Sequence, residues 1–214
     1  MTHADGSPFI IRGGQGNVHK VDYGFQTFAM KIMDQPQEQT AFYYGAREVC
    51  ASLLAGPTSS VAQPVMMGVV TKSKPGSTVV ELRPVIFYMW IPGYTFWEIA
   101  CTPSPEGFHG LDRNKLCYEL CCALMDLTLS AGEVIHGDFK GNNLMVTPMN
   151  GGRLVVTIVD MGLSSLKGQC IPGLSNNKCR PNDTGKYTAS FDIYGFDAHK
   201  VSCVKASKTQ QQEL

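Results

Sequence analysis

Apolar and polar positions change period along the chain, and the changes mark its elements. Residues 9–12, Phe-Ile-Ile-Arg, read as a strand running into Gly13-Gly14-Gln15-Gly16, with Val21 returning on a second strand. Residues 2–7 read as a short disordered lead, and residues 27–33, Thr-Phe-Ala-Met-Lys-Ile-Met, as a further strand. Residues 37–54 follow a helical period, with Val49, Leu53 and nearby alanines available for packing, and Gly56-Pro57 ends them. Gly45, in mid-helix, is expected to weaken this element. Residues 61–71 and 79–90 predict two more strands joined by a turn over 72–77, and Pro92-Gly93 breaks the second run. Residues 94–101 predict a short helix and 111–130 the longest one, with Leu116, Leu120, Leu124 and Leu127 on one face. Beyond Ala131-Gly132, the pair Val134-Ile135 leads into a polar loop. A hairpin then follows, made of residues 144–146, a turn at Asn150-Gly151-Gly152 and a strand over 154–159.

Composition narrows the setting more than the function. The chain has 214 residues, 43% of them hydrophobic, enough for one domain or two small lobes around a real core. Lys plus Arg equals Asp plus Glu at 18 each, so no overall field favours nucleic acid or an acidic membrane, and any phosphate site must be local. No apolar run reaches membrane-spanning length. Eight cysteines lack metal-type CxxC pairs, and the start carries no secretory pattern, which points to a soluble protein in a reducing, intracellular setting, cytoplasm or nucleus. Cys121 and Cys122, adjacent in the long helix, read as buried thiols, while Cys170 and Cys179 flank a loop and are the pair best placed to bridge or share a metal.

The candidate chemistry lies where polar residues interrupt apolar runs. In Val134-Ile135-His136-Gly137-Asp138-Phe139-Lys140-Gly141-Asn142-Asn143, a carboxylate is followed five residues later by an amide. That spacing suits phosphoryl transfer: Asp138 can receive the proton of an attacking hydroxyl, Asn143 can offer an oxygen to a metal ion, and Lys140 can lie against the transferred phosphate. Lys31 sits inside an apolar strand, where an unpaired charge is costly. Nucleotide phosphates would be one partner, and water at an edge strand is the plainer one. Glu48, on the helix, can reach Lys31 and orient it, with Glu38 the fallback, although its place in the first turn better suits the helix dipole. Gly14 and Gly16 would let the backbone close over phosphates with Val21 as an apolar lid, although Gly-Gly-x-Gly is also an ordinary hairpin turn. Asp160, at a strand's end before Met161-Gly162, is placed to hold Mg²⁺ between phosphates or simply to cap the strand.

Taken in order, the Gly-rich loop, Ala29-Met30-Lys31, the helix glutamate, the His136–Asn143 loop and Asp160-Met161-Gly162 resemble the eukaryotic protein kinase family across roughly residues 11–162. The resemblance implies an α+β, two-lobed fold: an N-lobe (8–90) of small antiparallel sheet with one helix, a hinge (91–94), a mainly helical but truncated C-lobe (95–205) and a tail (206–214). It implies ATP and Mg²⁺ as cofactors and a protein hydroxyl as acceptor, with Lys140 marking the serine/threonine class. Lys31, oriented by Glu48, would hold the α and β phosphates. Asp138 would be the base, Lys140 would steady the γ-phosphate, and Asn143 and Asp160 would bind metal. Gly14, Gly16, Val21, Ala29 and Met89 would line the nucleotide, with Tyr88 an alternative to Met89, and His136 would brace the loop.

The departures are specific. His19 stands for the third glycine, Met161 for a Phe, and Gly137 for an Arg that normally meets a phosphorylated residue of the activation segment, so such a switch is not expected. No Ala-Pro-Glu closes that segment between 163 and 191. Asp192 to Asp197 resembles the start of a helix that anchors the loop, with Asp197 where Gly is usual, and few residues follow. So compact a form is similar to kinases that some large DNA viruses carry. Ser164, Ser165, Thr184, Tyr187 and Thr188 are noted as hydroxyls open to phosphorylation. Two other functions compete: a small-molecule phosphotransferase of the aminoglycoside kinase type, which also uses His-Gly-Asp, and a pseudokinase that binds partners without turnover.

Overall fold

The computed structural model describes residues 10–12, 16–35, 37–57, 60–73, 78, 80–101, 108, 112–130 and 134–166. The expected features at Gly13 to Gln15, Cys170, Cys179, Thr184 to Thr188, Asp192 to Asp197 and the tail lie outside these residues.

An antiparallel sheet is built from β1 (Ile10–Arg12), β2 (Gly16–Tyr23), β3 (Gln26–Met33), β4 (Pro64–Ser73) and β5 (Val80–Met89), in the order β1-β2-β3-β5-β4. Between β3 and β4 the chain forms α1 (Glu38–Ala55), whose buried residues Ala41, Gly45, Glu48 and Ser52 recur at helical spacing. The expected weakness at Gly45 does not break the helix. At Gly45 α1 lies against the sheet, where a Cβ would make ordinary contact 3.4 Å from Pro84 Cβ and 3.5 Å from Met33 Cγ. The strand expected from residue 61 begins at Pro64, because Val61 instead makes a parallel bridge to Ile158.

The rest of the described chain adds β6 (Tyr94–Thr95), α2 (Phe96–Cys101), α3 (Arg113–Thr128), β7 (Val134–Ile135), β8 (Leu144–Met149), β9 (Arg153–Ile158) and β10 (Ser165–Leu166). β6, β8 and β9 form one sheet, and β7 pairs with β10. The helix expected from Tyr94 starts two residues later, since Tyr94 and Thr95 pair with Val146 and Met145. Its start is a reciprocal cap: the Glu98 carboxylate accepts from Thr95 N at 2.7 Å, and Thr95 Oγ1 accepts from Glu98 N at 3.1 Å. Asp112 caps α3 by accepting from Asn114 N at 2.8 Å.

Leu116, Leu120, Leu124 and Leu127 are buried on one face of α3, as their spacing predicts, against Val134, Phe139, Leu144, Val156 and Ile158. The two adjacent cysteines correct the expectation of buried thiols: Cys121 is exposed and Cys122 half-buried, because they lie off the leucine face. Nor are the described residues after the break mainly helical. Two helices share that region with a three-stranded sheet and a short ladder, so the described fold is mixed α+β with few helices. Ala51 and Ala55, at the end of α1, join the core under α3 and tie the two sheets' surroundings together. Among the described residues, no helix is long and apolar enough to cross a membrane.

Candidate active site

Lys31 is 6% exposed on β3 and Glu48 is fully buried on α1. The ammonium donates to Glu48 Oε2 at 2.7 Å and to Asp160 Oδ1 at 2.6 Å, so the partner that its apolar surroundings demand is a pair of carboxylates. Tyr88 Oη, across the sheet, donates to the other oxygen of Glu48, Oε1, at 2.9 Å. One cation between two carboxylates leaves one net negative charge.

The balance of charge and burial differs at each member. Burial pulls the Lys31 ammonium down, but the charges of Glu48 and Asp160 outweigh it and hold its pKa above the ordinary lysine value. Burial pushes Glu48 up, and Lys31 offsets only part of that. For Asp160, burial also acts upward, yet the charge and hydrogen bond of Lys31 prevail and its pKa is lowered. Burial, followed by the Glu48 charge, raises Tyr88 well above its usual range. Asp160 is therefore the firmer anion, and its side chain is 33% exposed.

Asp160 also carries backbone strain, with φ 65° and ψ 65°, a left-handed conformation that costs a non-glycine residue about 1–2 kcal/mol. The turn Met161–Leu163 follows it, with Met161 buried in the core, which suits the apolar slot expected of that position.

The polar loop forms a second cluster. Lys140 Nζ donates to Asp138 Oδ2 at 2.6 Å, and Asn143 Nδ2 donates to the same oxygen at 3.1 Å and to the Asp138 carbonyl at 2.9 Å. His136 is fully buried and braces the loop: Nδ1 accepts from Asp138 N at 3.2 Å, and Nε2 stands 3.0 Å from the Val159 carbonyl. Val159 N in turn donates to the Asn143 carbonyl at 2.9 Å. The residue before Asp160 is thus bonded to both ends of the loop, which ties the two clusters together. Gly137 has φ 78°, a conformation open to glycine and strained for the Arg that the kinase pattern would place there.

Register separates the expected nucleotide-lining residues into two groups. Paired residues share a face, and neighbours in a strand alternate faces. Val18 stands opposite Lys31, Lys20 opposite Ala29, and Val21 opposite Phe28. Tyr88 stands opposite Ala29, and Met89 opposite Phe28. Ala29 therefore shares the face of Lys31, whereas Val21 and Met89 belong to the opposite face, and Met89 is 45% exposed. On the lysine's own face the register places Val18 and Tyr88 instead. Gly16 lies in β2 opposite Met33, and a Cβ there would be 2.2 Å from the Ile32 carbonyl oxygen, so close backbone approach already requires this glycine. Gly14 is outside the described residues.

Two further expectations change. Ser164 is 1% exposed and donates to the His136 carbonyl at 3.2 Å, and Ser165 Oγ is buried, so neither is an open hydroxyl. Arg47, one residue before Glu48, was not singled out by sequence, yet it donates to the Leu163 and Ser164 carbonyls. No group of three or more His, Cys, Asp or Glu side chains able to hold a metal occurs among the described residues. No protein-family model and no curated protein matches this chain.

Proposed function

We propose that this chain is an ATP- and Mg²⁺-dependent serine/threonine protein kinase, with the five-stranded sheet and α1 as one lobe and the α3 side as the other. The single observation that carries the reading is the bridge of Lys31 to Glu48, 17 positions away, and to Asp160, 129 positions away. Residues of the right types, in the right order, meet at one ammonium.

The donors suit a hard divalent cation. Asp160 uses Oδ1 toward Lys31, Asn143 uses its amide nitrogen toward Asp138, and the remaining oxygens of both are the kind that Mg²⁺ takes. Asp160 and Asn143 would hold the metal, which neutralises charge between phosphate oxygens. Lys31 would then exchange Asp160 for the α and β phosphates, with Glu48 and Tyr88 holding the stem of the arrangement in place. Asp138 has Oδ2 engaged by Lys140 and Asn143, which leaves Oδ1 to receive the proton of the acceptor hydroxyl. As that proton moves, the hydroxyl oxygen bonds to the γ-phosphorus, the bond from γ-phosphorus to its bridging oxygen breaks, and ADP departs. Lys140 lies beside Asp138 and would steady the transferred group.

One observation favours a second reading, a binding module without turnover. Both lysines of the site are already paired with the chain's own carboxylates. The deciding experiment measures transfer of the γ-phosphate from Mg-ATP to a generic basic protein and, in parallel, to small alcohols. Transfer to protein that drops by roughly a thousandfold in Asp138→Ala supports the kinase. ATP binding with no turnover above that variant selects the binding module, and transfer to small alcohols alone selects a small-molecule phosphotransferase.

A further inference from the structure

We propose that Arg47 is a positioning residue, a strap that fastens the helix carrying Glu48 to the turn after Asp160 and assembles the site without an added phosphate. The inference rests on the kinase reading and names how that site is held together.

Arg47 Nε donates to the Ser164 carbonyl at 2.5 Å, and Nη2 donates to the Leu163 carbonyl at 3.1 Å and also to that of Ser164. The next residue of α1, Glu48, holds Lys31, which holds Asp160. Two adjacent helix residues therefore grip residues 160–164 at both ends, one through a lysine and one directly. From the other side, Ser164 Oγ donates to the His136 carbonyl at 3.2 Å, and Ser165 pairs with Ile135. The turn that carries the expected metal-binding carboxylate is clamped between α1 and the strand that enters the polar loop.

The chemistry of the clamp decides how it responds. Gly137, at φ 78°, supplies no cation to this segment. The guanidinium that reaches it comes from α1, and its acceptors are main-chain carbonyls. A carbonyl is present in every state of the chain, whereas a phosphate must be added and can be removed. A charged donor set in fork geometry is well matched to two successive carbonyls, and a lysine would match them poorly. Arg47 Nη1 is buried without an acceptor among the described residues, so the contact is kept at a cost.

The test uses the full chain. Arg47→Met keeps an apolar stem and removes every donor, and Arg47→Lys keeps the charge while losing the fork. Hydrogen exchange of peptides spanning 160–166 is expected to speed up by about tenfold or more in Arg47→Met, with α3 unchanged. Turnover in phosphate transfer is expected to fall about a hundredfold, with KM for ATP shifted less than about threefold, because positioning rather than binding is lost. Arg47→Lys should fall between, and phosphatase-treated wild type should keep its activity. Exchange and turnover like wild type in Arg47→Met would overturn the strap, as would loss of wild-type activity on phosphatase treatment. If Arg47→Met does not fold, the same two measurements on Arg47→Lys decide, and wild-type values there overturn the proposal. A wild type that transfers no phosphate defeats the kinase reading alone, since exchange at 160–166 still reports on the strap.

Discussion

The two polar clusters are built in opposite ways. Lys31, Glu48 and Asp160 come from a strand, a helix and a turn, and the lysine and glutamate are almost wholly removed from water. Asp138, Lys140 and Asn143 come from one short loop, where the Asp138 and Lys140 side chains are 28% and 38% exposed. The first cluster brings together residues far apart in sequence, so its charges bear directly on stability. The second lies within one loop and its ion pair is screened by water, so its charges weigh little on stability.

Removing Lys31 should break this comparison most visibly. The apolar pattern of β3 alone would suggest that Lys31→Met leaves the fold intact, but the structure argues otherwise, because the change strands the buried Glu48 carboxylate. We expect a loss of about 3–5 kcal/mol in urea denaturation. Adding Glu48→Met should recover much of that loss. A single variant as stable as wild type would put the two clusters on the same footing. The same weakness appears without mutation at alkaline pH. Lys31 binds its proton more tightly folded than unfolded, so its contribution is complete below the ordinary value of 10.5 and is lost as pH rises through the higher folded value. Tyr88 acts in the same direction from its ordinary value of 10.0 upward. Denaturation midpoints should fall above pH 10 in wild type, and the fall should be shallower in Tyr88→Phe.

Gly137→Ala tests the loop's backbone rather than its charges. At φ 78° it is expected to cost about 1–2 kcal/mol, read from the same denaturation curves, and a neutral result would show that the loop can relax. The smallest stability effect belongs to Asp138→Ala, within about 1 kcal/mol, since its ion pair is half-exposed. Its expected signature is lost transfer in a chain that melts like wild type. A large stability loss there would erase the distinction between the clusters.

Much of the site was legible because its signals are local or are violations of a local pattern. A lysine within an apolar strand asks for either a partner or water, and the spacing from His136 to Asn143 brings a carboxylate, a cation and an amide into one loop whatever surrounds it. The strand–helix order, the leucine face of α3 and the hairpin over 144–158 follow from period alone. Other assignments failed for equally physical reasons. The glycine pattern permits more than one register, and Val18 and Val21 differ by an odd number of residues, so choosing between them chooses a face of the sheet. Tyr88 and Met89 are neighbours and hence on opposite faces, a choice settled by the pairing of β5 with β3. Arg47 left no trace because its acceptors are carbonyls, which every residue carries.

By itself, the sequence determined which residues can carry charge, where most of the strands and helices lie, and that Lys31 needed either a partner or water. Only the tertiary structure decided that the partners are Glu48 and Asp160, that Val18 and Tyr88 share the lysine's face, and that Arg47 spans from α1 to the turn at 161–164. The reason lies in the range of the forces. Period and propensity act over a few residues, whereas a buried charge is satisfied by whatever the folded chain brings within about 3 Å, however distant in sequence.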